Sequence, residues 1–79
     1  MQKYQIQSII FDKLEGWDLA SSKKWIHDNG YKITKPPHET KHFIRFRQKE
    51  PNYKKYHYMT KKLNDGIDLI IGYPLHEKY

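Results

Sequence analysis

The chain contains no cysteine, which excludes disulfide staples, thiolate nucleophiles and Cys-based zinc ribbons. It has only four glycines, and none falls in the spacing of a phosphate-cradling loop. No apolar stretch approaches the ~20 residues of a membrane span. The longest, Ile67-Asp68-Leu69-Ile70-Ile71, is interrupted by a charge. The start, Met1 to Phe11, is Gln-rich and lacks the apolar core of a signal peptide. These absences lead us to expect an intracellular chain with no membrane span. Valine is missing too, against nine isoleucines, and thirteen lysines stand against two arginines, a bias that an AT-rich genome would also produce.

What is present is a single small domain. At 79 residues the chain buries little core, but 15% aromatic residues raise the burial available per side chain. The whole chain, 1–79, reads as one domain, too small for a deep pocket or a cofactor cradle. The formal charge of +6 is unevenly spread. Residues 21–62 hold twelve basic side chains against Asp28, Glu39 and Glu50, whereas both flanking segments are slightly acidic. Such a distribution suits a polyanionic partner, and a solvated lysine surface is the plain alternative.

The hydrophobic pattern yields a coarse map. Gln5 to Phe11 reads as a strand with Ile6 and Ile10 on one face. Asp18 caps a helix through Asn29, and Gly30 takes the left-handed position after it. Tyr31 and Ile33 then fold back on the last turn. Lys35 to Glu39, with two prolines, reads as a loop. His42 to Gln48 alternates, placing Ile44 and Phe46 opposite Phe43, Arg45 and Arg47. Tyr56 to Lys62 suits a strand or a short helix, and Asn64-Asp65-Gly66 before Ile67, Leu69 and Ile71 favours a hairpin and so a strand. The expected fold is α+β: one helix on a 3–4-stranded, mainly antiparallel sheet in the order β-α-β-β-β. Ile6, Ile10, Trp25, Ile26, Ile44, Phe46, Leu69 and Ile71 are its expected core.

One helix covers one face of a sheet, so the other face is where function is sought. Arg45 and Arg47 are spaced to emerge there beside Phe43, and a guanidinium fork suits phosphate and base stacking better than an ammonium. Tyr56, Tyr58 and Lys62 share that face if the hairpin register holds. Lys23, Lys24, Lys54, Lys55 and Lys61 are candidate phosphate contacts around the rim. Two other readings stay open: Arg45 and Arg47 pair with Asp68 or Glu50 as structural ties, or the face is buried in a homodimer.

His38-Glu39-Thr40-Lys41-His42 matches the HExxH pattern of zinc proteases. That chemistry needs both imidazoles on one helical face, and the prolines before it and the alternating strand after it oppose a helix. The serines lack a nucleophile-elbow context. The expectation is a non-enzyme with no metal, no cofactor and no small-molecule substrate.

A run of motifs adds an origin. Ile10-Phe11-Asp12-Lys13, then Ala20 with Trp25-Ile26, Gly30-Tyr31, Arg45-Phe46-Arg47-Gln48, and Gly66-Ile67 through Ile71-Gly72 follow in order over residues 5–73. This order resembles a family of short proteins and domains of tailed phages and large DNA viruses, the standalone form looking most like those of amoeba- or alga-infecting giant viruses. In phages, similar segments tend to occur among head and virion structural genes. The resemblance implies a viral origin and implies no chemistry.

Taken together, these readings anticipate a basic viral protein that binds DNA or RNA through the phosphate backbone without sequence preference. Its place would be genome organisation, packaging or the replication compartment, in the virus factory, cytoplasm or nucleus of the infected host, or in the virion. The alternative is a virion or scaffold component acting through self-association.

Overall fold

Strand β1, Gln5–Asp12, runs through the middle of an antiparallel sheet, and the helix α1, Leu19–Asp28, lies across one side of it. The remaining strands are β2, His38–Glu39, β3, Phe43–Arg47, β4, Tyr56–Lys62, and β5, Ile67–Pro74. The computed structural model describes residues 4–75; the ends of the 1–79 domain expectation, 1–3 and 76–79, lie outside the described residues. Among the described residues the strand order is β2-β3-β1-β5-β4, with every neighbouring pair antiparallel. This is the expected α+β class, with five strands rather than three or four. The added strand is β2, where a loop was expected. Two residues are too few to display alternation, and a tight turn from Thr40 to Phe43 (Thr40 N–H to Phe43 C=O, 2.8 Å) folds them against β3.

Local chemistry sets the helix ends. Asp18 Oδ1 accepts from the Ser21 amide at 2.8 Å, and Ser21 Oγ accepts from the Asp18 amide at 3.0 Å, a reciprocal cap. At the other end Gly30 takes φ 81°, and the Tyr31 amide bonds back to the Ile26 carbonyl at 2.9 Å. Tyr31 thereby stacks on Trp25, ring centroids 6.0 Å apart and planes within 9°. Ile33, expected to fold back with it, stays exposed. Ten residues are too few for a helix to persist alone, so α1 depends on its docked stripe: Ser22 and Ile26 fully buried, Trp25 partly so.

The core is Ile9, Phe11, Ile26, Ile44, Phe46, Ile67, Leu69 and Ile71. Phe11 sits at its centre, with Trp17, Trp25 and Phe46 rings at 4.9, 5.7 and 5.7 Å. The expected core on β1 therefore needs correction. Ile9 and Phe11 face the helix, and Ile10 points to the opposite side, half-buried. Ile6 does pack against the core, because a bulge intervenes. The register runs Ile6↔Ile71 and then Ser8↔Ile70, leaving Gln7 as the extra residue. Gln7 is buried, and its polar groups are satisfied: its amide donates to the Lys49 carbonyl at 2.7 Å, and its own carbonyl accepts from the Gln48 amide at 2.7 Å.

The β4–β5 hairpin closes as its Asp-Gly turn implies. Asp65 and Gly66 adopt left-handed φ of 68° and 78°, which Asp tolerates better than most residues and Gly takes freely. A Cβ at Gly66 would lie within 2.6 Å of the Glu15 side chain, and Trp17 Nε1 donates to the Asp65 carbonyl at 2.6 Å. The segment before the helix is thus latched onto the hairpin turn.

Candidate nucleic-acid interface

The sheet face away from α1 is built in rows by the strand register. His38, Arg45, Ile10, Asp68 and Lys62 stand side by side on β2, β3, β1, β5 and β4. Arg47, Ser8, Ile70 and Thr60 form the next row. Phe43 and Asp12 pair on one side of these, and Gly72 and Tyr58 on the other. The pattern follows from alternation along each strand: as Ile44 and Phe46 go inward, Phe43, Arg45 and Arg47 must go outward.

Arg45 is held in place from below. Its Nε donates to Ser8 Oγ at 3.2 Å, Ser8 Oγ donates to Gln7 Oε1 at 2.6 Å, and Gln7 is fixed to the Lys49 carbonyl. This relay orients the guanidinium while sparing its two terminal nitrogens. Among the described residues no carboxylate lies within 4 Å of Arg45. Arg47 is 3.8 Å from Glu50, whose carboxylate also pairs with Lys35. Lys35, and secondarily Arg47, hold the Glu50 carboxyl below its ordinary pKa. Lys62 approaches Asp68 at 3.5 Å with its own side chain largely exposed. Of the expected structural ties, Arg47–Glu50 is present and Arg45–Asp68 is not.

Two hollows adjoin Arg45. One, about 210 Å³, is lined by Lys35, Pro36, His38, Arg45 and Arg47. The other, about 270 Å³, is lined by Ile10, His38, Thr40, Phe43, Arg45 and Asp68. The first is cationic and the second mixed, with the Phe43 ring 44% exposed at its side.

An aromatic cluster occupies the β4 end of the same face. The Tyr58 ring lies over Gly72, where a Cβ would come within 2.6 Å of it. Its hydroxyl accepts from the Asn52 amide at 2.7 Å. Tyr53 meets it edge-on at 5.3 Å and Tyr56 lies at 6.2 Å.

The expected site residues divide accordingly. Phe43, Arg45, Arg47, Tyr56, Tyr58 and Lys62 share the face away from the helix. Lys54 and Lys55 are exposed in the turn leading into β4 at its Tyr56 end. Lys61 lies opposite Leu69 and so emerges on the helix side of the edge strand, as does Met59, which is 58% exposed. Lys23 and Lys24 are on α1, across the sheet, and Lys24 is engaged by Asp28 at 2.6 Å. They cannot join one continuous surface with the arginines. Lys35, His38 and Tyr53 were missed by sequence reasoning. A loop reading of 35–39 hid the first two, and only the fold brings Tyr53 to Tyr58.

The HETKH segment is strand at His38–Glu39 and turn beyond it, so the one-faced helical arrangement of zinc proteases is not formed. Among the described residues, no group of three or more His, Asp or Glu is placed to hold a metal ion, and no helix is long and apolar enough to cross a membrane. No family model, curated protein or solved structure matches the chain.

Proposed function

We propose that the helix-free face binds single-stranded nucleic acid through its phosphate backbone, with aromatic side chains stacking on bases. The observation that carries this reading is the convergence of the chain's two arginines with Lys35 on one cationic hollow beside an exposed Phe43 ring. Arginine forks and lysine ammonium groups supply phosphate contacts, and Phe43 and the Tyr53–Tyr56–Tyr58 cluster supply platforms that every base can use. The role is that of a binding protein rather than a catalyst. In keeping with the motif resemblance, it would serve genome organisation, packaging or replication of a virus in the infected cell, or act within the virion.

A second reading is favoured by one observation: Phe43 is exposed, and Ile10 and Ile70 are only half-buried, on a face that no helix covers. A second copy of the chain laid on that face would bury them, as a virion or scaffold component would require.

Mobility shifts at two salt concentrations, run beside light scattering, separate the two. Three to five single-strand phosphate contacts predict a slope of log affinity on log salt of about −2 to −4. Changing Arg45 and Arg47 together to Gln should flatten that slope and weaken binding. Changing Lys23 and Lys24 together to Gln should leave both nearly unchanged. A stable dimer that ignores salt and binds no oligonucleotide would move the assignment to self-association.

A further inference from the structure

The two hollows are adjacent, sharing His38 and Arg45, and together they have the layout of a nucleotide: a cationic end and an apolar-floored slot. We propose that the 270 Å³ hollow takes one guanine base of the bound strand, a selectivity that rests on the nucleic-acid reading above and refines it. Ile10 forms the floor, flanked across the sheet by Arg45 on one side and Asp68 on the other. Two strand spacings separate those backbones, about 9.6 Å, which leaves room for a planar base between their side chains. The 44%-exposed Phe43 ring offers a stacking surface at the side.

Asp68 decides which base. A carboxylate is acceptor-only and receives two parallel donors best. Guanine alone presents two adjacent donors on its Watson–Crick edge, the ring N1–H and the exocyclic amino group. Adenine and cytosine offer one amino group beside a ring nitrogen acceptor, and uracil or thymine one N–H between two carbonyls. Those acceptors face the carboxylate and repel it. Lys62 approaches only one oxygen of Asp68, at 3.5 Å, and Asp68 lines the hollow. The Arg45 terminal nitrogens and Lys35 then lie on the phosphate side.

The test is fluorescence anisotropy on five-nucleotide strands of equal charge that differ only in the central base. The strand with guanine should bind about tenfold tighter than the one with adenine, the scale of one bidentate base contact. Replacing that guanine by inosine, which lacks the exocyclic amino group, should remove most of the gain without altering the protein. Asp68→Asn should abolish the preference while keeping the salt slope, with melting curves confirming the fold. Equal affinity for all four bases with a steep salt slope would overturn the slot and leave the nucleic-acid reading intact. No binding to any strand at low salt would overturn both. Guanosine monophosphate saturating the protein as tightly as the strand would overturn the polymer as the occupant of the slot.

Discussion

The two faces of the sheet are made by the same strands, yet they obey different rules. On the helix side Ile9, Phe11, Ile44, Phe46, Ile67, Leu69 and Ile71 are all buried, and no charge interrupts them. On the other side the same strands present Ser8, Ile10, Asp12, Phe43, Arg45, Arg47, Asp68 and Ile70, a mixture of charge, ring and aliphatic groups. The first face is specified by the amount of apolar surface removed from water, which any similar set of side chains can supply. The second is specified by position: Arg45 is oriented through Ser8 and Gln7, and Tyr58 through Gly72 and Asn52.

The comparison is broken most directly by truncating one residue from each face. Phe11→Ala removes the ring on which Trp17, Trp25 and Phe46 converge, and should cost about 3–5 kcal/mol, most of a small domain's stability. Its neighbour Ile10, half-buried on the open face, should cost about 1 kcal/mol on the same change. Chemical denaturation of the two variants measures the difference. Equal losses would mean that the open face is a second core, covered by something in solution.

That pair of neighbours also marks where sequence reasoning reached its limit. Ile9, Ile10 and Phe11 are consecutive apolar residues, so alternation cannot tell which parity faces the helix, and choosing Ile6 and Ile10 together assumed an unbroken strand. The bulge at Gln7 breaks it, so Ile6 and Ile9 share a face although they are three positions apart. Where a charged residue marks the outward parity, as Arg45 and Arg47 do in Phe43 to Arg47 and Asp68 does in Ile67 to Ile71, the faces were legible. So were the helix caps and the Asp-Gly turn, because each is local chemistry. Of the candidate site, Arg45, Arg47, Phe43, Tyr58 and Lys62 could be placed from spacing alone. The contribution of Lys35 and Tyr53 could not, since neither lies in a regular strand and both reach the face through loops. The lysines of α1 were misassigned because charge counted along a chain carries no information about sides.

A smaller effect sharpens the idea that the open face is positioned rather than merely solvated. A Cβ at residue 72 would meet Tyr58 Cε1 at 2.6 Å, and the ring cannot swing away without losing the Asn52 bond. Gly72→Ala should therefore destabilise by about 1–3 kcal/mol, an overpacking cost. In a double-mutant cycle with Tyr58→Ala the penalty should largely vanish, since the ring that clashes is gone. Additive losses would show that Gly72 is needed for its backbone and not for the ring above it. The same Gly72→Ala variant should also weaken binding of single strands more than Lys23→Gln does, by displacing the aromatic platform.

The smallest effects come from acid, and here the faces differ in kind. Asp18, bonded by the Ser21 amide and hydroxyl, and Asp28, bonded chiefly by Lys24, have carboxyl pKa values lowered in the fold. Glu50, on the open side, is lowered first by Lys35 and then by Arg47. A lowered folded-state pKa means that the unfolded chain binds the proton more readily, so each group's contribution is present above the unfolded pKa and fades as pH falls through the folded one. Melting temperature should stay flat from neutrality down to about pH 5 and decline below it, by a modest amount because all three groups are solvent-exposed. Asp18→Asn keeps a good cap acceptor that does not titrate, so it should blunt the acid decline and leave oligonucleotide affinity unchanged. Glu50→Gln should blunt it as well, but should also raise affinity at neutral pH a few-fold, because the carboxylate that competes with phosphate for Lys35 and Arg47 is removed. Titration of both variants with the same single strand, beside melting curves across the acid range, reads out the contrast. If Glu50→Gln leaves affinity where it was, Lys35 and Arg47 do not contact the strand, and the cationic hollow is a structural ion pair and nothing more.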